Sequence, residues 1–218
     1  QSSIARAMRS YRNTGVGRAT VSVPSKSALA ALISSGVSHR VDPARPVNVT
    51  APGKGTEPSP PTNLVNAPIV GVIDGGLDAR SYQGAEAWRV APLVPNGQAD
   101  RRHGNAISSL VVQGHSWNRN RILPQLDCRI GVVQAVASPR SGHTFEDEQE
   151  LVSYLSAVVR THPETLVWNI SANQDASAFN DDEVSVLGHE LNELARAANI
   201  LPVISVGNAN GTQTWPNP

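Results

Sequence analysis

The sequence is poor in several features that would narrow its class at once. It has a single cysteine, Cys128, so no disulfide can form within the chain, and the apolar run around it predicts a buried thiol. Aromatic residues make up only 4% of the chain, and no apolar run is long enough to span a bilayer. No stretch follows the signal-peptide pattern. These absences favour a protein of a reducing, cytoplasmic compartment that does not enter a membrane.

Charge of one sign is also lacking, since the formal net charge is zero. The composition therefore gives no reason to expect nucleic acid or a membrane as a partner. The balance is uneven, because residues 1–50 contain seven basic residues and one acid, Asp42. Such a basic segment is either a solvated arm that pairs with the acidic remainder or a binding segment for RNA or an acidic partner.

Residue composition and the hydrophobic pattern divide the chain into three parts. Residues 1–50 contain a strand–helix–strand pattern in RATVSV, SKSALAALISSG and VSHRVD, which predicts a small α+β segment. Residues 51–67 are rich in proline, glycine, serine and threonine and predict an extended linker. Residues 68–218 carry the long apolar and amphipathic patterns, and we expect the main domain there.

Within the main domain, apolar runs of strand length alternate with segments of helical spacing. The predicted buried strands are IVGVI, RIGVVQAV, TLVWNIS and ILPVISVGN. The predicted helices contain HGNAISSLVV, EDEQELVSYLSAVVRTH and DDEVSVLGHELNELARAAN. This alternation predicts an α/β fold, a parallel sheet flanked by helices on both faces. Catalytic residues in such sheets gather at the carboxyl ends of the strands.

Three polar residues occupy suggestive places in this pattern. Asp74 ends the first strand in VGVIDGGLD, His103 opens the helical segment HGNAISSLV, and Asn208 ends the last strand in VISVGNANG. In this order the three segments resemble the motifs of the subtilisin-like serine proteases, the subtilase family. The resemblance covers residues 69 to about 211, and Asn105 departs from it because threonine is common after the HG pair.

The resemblance implies a serine endopeptidase that acts on polypeptides. We expect no cofactor and assign no residue as a metal ligand, while calcium dependence stays open. The histidine of such a protease accepts the proton of a serine hydroxyl, and its aspartate orients the imidazole. These roles would fall to His103 and Asp74, while Asn208 would stabilise the oxyanion. Arg101 and Arg102 precede His103 and would lower its pKa if they lay near the ring.

The nucleophile is missing from this pattern. No segment matches the family's G-T-S-x-[AS] motif, and the last serine, Ser205, lies within the strand that leads to Asn208. We therefore expect the sheet to be incomplete and the serine to lie on a C-terminal portion of the same protease, so that this chain alone is inactive. The alternative is an inactive subtilase-like interaction module.

The resemblance also implies a substrate strand. In the family, an extended substrate pairs with the strand at an S-L-G motif, and Ser171, Ala172 and Asn173 align there, with asparagine where glycine is usual. The N-terminal segment stands where many subtilases carry an inhibitory propeptide, and it is either propeptide-like or an accessory region.

Two other classes fit the residues less well. A phosphate-binding turn at DGG lacks the spacing of G-x-G-x-x-G, and no GK[ST] occurs. A metal hydrolase would draw on Asp74, His103, His115 or Asp127, but no H-E-x-x-H or comparable spacing is present.

Overall fold

The computed structural model describes residues 19, 21–38, 41, 47–48, 64–118, 124–138, 141, 148–174 and 184–205. The chain divides into two compact units, Gln1–Ala44 and Arg45–Pro218.

The first unit contains helix α1, Lys26–Ser34, as the sequence predicts. Ser25 caps the helix by accepting a hydrogen bond from the Ala28 N–H at 3.1 Å. The strand predicted in RATVSV is wrong for the described residues 19 and 21–23, which form no strand. Val21 and Val23 are 42% and 37% exposed, and no strand among the described residues pairs with them to complete a ladder. Part of VSHRVD, including residues 39–40 and 42, lies outside the described residues.

The second unit contains seven strands, three α-helices and a 3-10 helix in its described part. The strands are β1 Val47–Asn48, β2 Ile69–Asp74, β3 Glu86–Arg89, β4 Arg129–Gln134, β5 Val167–Ile170, β6 Asn173–Gln174 and β7 Leu201–Ile204. The α-helices are α2 Arg101–Asn118, α3 Glu148–Thr161 and α4 Val186–Ala198, and the 3-10 helix is Arg80–Ala85.

Five of these strands form one parallel sheet in the order β3-β4-β2-β5-β7. The α/β fold predicted from the sequence is therefore present. β2 lies at the centre, in register with β4 from Ile69 to Asp74 and with β5 from Val70 to Ile73. Because all these strands run in the same direction, their carboxyl ends meet at one edge of the sheet, where Asp74 lies.

Helices cover both faces of the sheet. Alternate residues of β2 serve different cores, since Ile73 packs with buried side chains of α3 and α4, whereas Val72 packs with Val112 of α2. Leu151, Leu155 and Val158 of α3 and Leu191 and Leu194 of α4 are buried as their helical spacing predicts. Val184 is an exception, because it is 68% exposed and precedes the helix that Ser185 caps.

Two tryptophan rings pack against the sheet at positions occupied by glycine. A Cβ added at Gly71 would overlap the ring of Trp168, and one at Gly131 would overlap the ring of Trp88. Trp88 belongs to β3, an edge strand that the sequence pattern does not reveal. Its segment EAWR is short and half-buried, without a clear period.

Cys128 is buried as predicted, with 6% of its surface exposed, and burial raises the pKa of its thiol. Within the described residues, no helix is both long and apolar enough to cross a membrane.

Candidate active site

Asp74 is an acid buried at the carboxyl end of the central strand. Its exposed fraction is 0%, and the residue paired with it on β4 is Gln134. The Gly75 N–H donates a hydrogen bond of 2.6 Å to Asp74 Oδ1. A carboxylate in such a place needs further donors, because burying an uncompensated charge is costly.

His103 supplies the main partner from the first turn of α2. Its Nδ1 lies 2.9 Å from both Oδ1 and Oδ2 of Asp74. Asp100 fixes the start of this helix, since its Oδ1 accepts a hydrogen bond from the His103 N–H at 3.1 Å. With Nδ1–H donated to the carboxylate, the ring presents Nε2 as its basic nitrogen, and no described residue hydrogen-bonds to Nε2.

The segment that follows Asp74 and the segment around His103 are in close backbone contact. A Cβ added at Gly75 would overlap the backbone of Asp100, and one added at Gly104 would overlap the carbonyl oxygen of Gly76. Gly76 itself has a φ of +91°, a conformation that other residues rarely adopt. The three glycines thus allow the turn after β2 to lie directly against the start of α2.

Burial and the contact between Asp74 and His103 shift the pKa of each group in opposite directions. Burial raises the pKa of Asp74, and the hydrogen bonds from His103 and Gly75 offset it only in part. Burial by itself would lower the pKa of His103. The hydrogen bond to Asp74 and the negative charges of Asp74 and Asp100 outweigh that effect and raise the pKa above its usual 6.5.

The arginines before His103 are not among the groups that shift its pKa, so the condition on which the sequence expectation depended is not met. Arg101 Nη1 lies 3.0 Å from Asp78 Oδ2, in an ion pair with the turn that follows β2. Arg102 is exposed. The carboxylates of Asp74 and Asp100 therefore dominate the field at the imidazole.

The predicted substrate segment, Ser171–Asn173, begins directly after β5, which neighbours β2 in the sheet. Because Ile73 and Ile170 are paired, Ser171 follows β5 at the same edge at which Asp74 ends β2. Ser171 Oγ donates to Asn169 Oδ1 at 2.8 Å, and Ala172 is buried. Asn173 belongs to β6, which pairs with β1 in antiparallel register, Asn48 opposite Asn173.

Asn208, the predicted oxyanion donor, lies outside the described residues. Three residues that the motifs do not reveal also contribute to the site: Asp100, Asn105 and Gln134. Gln134 Nε2 donates to the Val94 carbonyl oxygen at 2.7 Å and to Asn96 Oδ1 at 2.9 Å. Asp100 had a detectable signal, since an acid three residues before His103 fits a helix N-cap, but the contacts of Gln134 depend on the tertiary fold.

Within the described residues, no three histidine, cysteine, aspartate or glutamate side chains cluster as a metal-ligand set. Comparison with family models, with curated proteins and with solved structures found no match for this chain. The geometry of the site is therefore the basis for a functional assignment.

Proposed function

We propose that this chain carries the aspartate–histidine part of a subtilisin-like serine endopeptidase. The observation that supports the proposal most strongly is the buried contact between Asp74 and His103, with Nδ1 2.9 Å from both carboxylate oxygens. An imidazole held in this way by a carboxylate is the base that removes a proton from a hydroxyl nucleophile.

The proposed mechanism assigns one step to each side chain. His103 accepts the serine proton at Nε2 and returns it to the leaving amine, while Asp74 stabilises the imidazolium through Nδ1. Asn208 donates a hydrogen bond to the oxyanion. The nucleophilic serine comes from a portion of the protease beyond these 218 residues, so the chain alone does not hydrolyse peptides.

The exposed side chains of β7 support a sheet that continues into such a portion. Leu201, Val203 and Ile204 are 60%, 47% and 44% exposed, although β7 belongs to a parallel sheet, whose strands are usually buried on both faces. In the described residues, the strand neighbour of β7 is β5. We propose that the serine-bearing portion packs against this strand.

The pairing of β1 with β6 supports a substrate site at Ser171–Asn173. An extended segment of the chain itself already forms an antiparallel pair with Asn173 and Gln174, as a bound peptide would. We propose that Val47 and Asn48 occupy part of the substrate groove, which is consistent with a propeptide-like role for the segment that contains them.

Two substitutions test the assignment in the complete protease. We expect Asp74→Ala and His103→Ala each to lower kcat for a peptide substrate by at least about 10⁴-fold, because the nucleophile loses its base or the base its orienting group. The matched controls are Asp127→Ala and His189→Ala, which change exposed residues of the same types. Unchanged turnover in either site variant, with the fold intact by circular dichroism, would refute the assignment of these two residues. No turnover in the unaltered complete protein would instead leave the interaction module as the better hypothesis.

A further inference from the structure

Asn105 joins the two segments that carry Asp74 and His103. It lies two residues after His103 in α2, and its Oδ1 accepts hydrogen bonds from the N–H groups of Asp78 and Ala79 at 2.9 and 3.0 Å. Its Nδ2 donates to Asp78 Oδ1 at 2.6 Å. A single amide side chain therefore makes three hydrogen bonds to the turn that follows β2.

Arg101 makes a further contact between α2 and the turn after β2, an ion pair with Asp78. Asp78 Oδ2 accepts a hydrogen bond from Arg101 Nη1 at 3.0 Å, so both carboxylate oxygens are held by the first turn of α2. The hydrogen bond from Asn105, then that from Arg101, lowers the pKa of Asp78. The carboxylate consequently stays charged, and the connection persists, throughout the neutral pH range.

These hydrogen bonds lie close enough in the chain to Asp74 to affect its distance from His103. Asp74 and Asp78 are the two ends of a five-residue segment, and Gly75 and Gly76 in its middle touch the backbone of α2 without side chains of their own. These glycines allow close contact but have no side chain that could hydrogen-bond to α2. The hydrogen bonds of Asn105 and Arg101 thus set where this segment lies along α2, and with it the approach of the carboxylate to the ring.

We propose that Asn105 is a positioning residue that holds Asp74 in hydrogen-bonding register with His103. The relevance to catalysis rests on the proposed function, but the geometry of the pair does not. Asparagine performs this role through a carboxamide whose oxygen accepts two hydrogen bonds while its nitrogen, a separate atom, donates the third. The threonine common at this position in subtilases has a single hydroxyl oxygen for all three.

The test is an NMR titration of His103 in the chain as it stands. In Asn105→Ala, we expect the His103 pKa to fall from its raised value toward 6.5, because the carboxylate no longer approaches Nδ1 closely. We expect the melting temperature to fall by about 2–8 °C from the lost hydrogen bonds. Asn192→Ala, a change at an exposed asparagine of α4, is the control and should leave the His103 pKa unchanged.

A second variant separates positioning from general support of the fold. Asn105→Asp keeps the shape and the acceptor for the two N–H groups but places a carboxylate against Asp78, so we expect it also to lower the His103 pKa. A His103 pKa equal to that of the unaltered chain in folded Asn105→Ala or Asn105→Asp would overturn the proposal, even with a lower melting temperature. Failure of both variants to fold would overturn it too, since Asn105 would then support the whole domain.

The complete protease provides an independent measurement. There we expect Asn105→Ala to lower kcat about 10-fold or more with little change in KM, as a misplaced base affects the chemical step and not the binding of substrate. If the proposed function fails, no turnover is measurable in any variant, yet the titration still decides the role of Asn105.

Discussion

At the scale of single residues, the Asp74 carboxylate raises the pKa of His103 through its hydrogen bond and its negative charge. Replacing it in Asp74→Asn removes the negative charge but keeps the size of the side chain, so burial should dominate and the His103 pKa should fall. NMR titration of the imidazole checks this result. Asp127→Asn, at an exposed acid, is the control. A His103 pKa that stays raised in Asp74→Asn would show that the Asp74 carboxylate is not the cause of the raised pKa.

The same pKa gives the stability of the domain a defined pH dependence. His103 binds its proton more tightly in the folded chain, where its pKa is raised above 6.5, than in the unfolded chain. The resulting stabilisation is fully present below about pH 6.5 and is lost as the pH rises through the folded value. The free energy of unfolding relative to Asp74→Asn should therefore decrease over that interval, as urea titrations at several pH values would show.

Gly104 tests the close contact between the turn after β2 and α2. In Gly104→Ala the new Cβ would overlap the carbonyl oxygen of Gly76, and we expect a loss of roughly 1–3 kcal/mol in the free energy of unfolding. Gly114→Ala is the matched control in the same helix, because nothing lies within 4 Å of its Cβ position. That change should be neutral or stabilise by up to about 1 kcal/mol. Equal effects in urea denaturation would contradict the described contact.

At this scale the sequence predicted the pair but not its surroundings. Asp74 and His103 stand in short motifs, one at the end of an apolar strand and one at the start of a helix, and such signals are local. Gln134 and Asn105 have no local signal, because their partners are 38 to 40 and 26 to 27 residues away in the chain. The direction of Arg101 is likewise fixed by a contact with Asp78, which spacing does not reveal.

At the scale of elements, the antiparallel pairing of β1 with β6 can be tested directly. In the double variant Val47→Pro and Asn48→Pro, β1 loses both its N–H donors and can no longer form the ladder. Hydrogen exchange should then increase at Asn173 and Gln174 while β5 stays protected. Val21→Pro, at an exposed residue outside any strand, is the control. Unchanged exchange at residues 173–174 would contradict the pairing.

The elements themselves were predictable where burial was strong. β2, β4 and the helices α3 and α4 have apolar patterns that match their buried faces, so the sequence predicted them. β3 was missed because its four residues are only partly buried, and its place at the edge depends on β4. The strand predicted at residues 18–23 was wrong for the part described, since alternation alone does not provide a neighbouring strand.

At the scale of the whole molecule, the proposed activity requires a serine close to His103. The proposal requires that the β7 side of the sheet receives the portion that carries this residue. It also requires that Asp74 and His103 act only in the assembled protease. These requirements concern the native protein, so the decisive measurement must be made on material from its natural source.

That measurement is labelling of the native protein with a fluorophosphonate probe, followed by mass spectrometry of the labelled peptide. We predict a label on one serine outside these 218 residues, in a polypeptide that contains this chain or copurifies with it, and no label in the His103→Ala variant. Absence of any labelled serine in the intact native species would contradict the assignment to the serine endopeptidases.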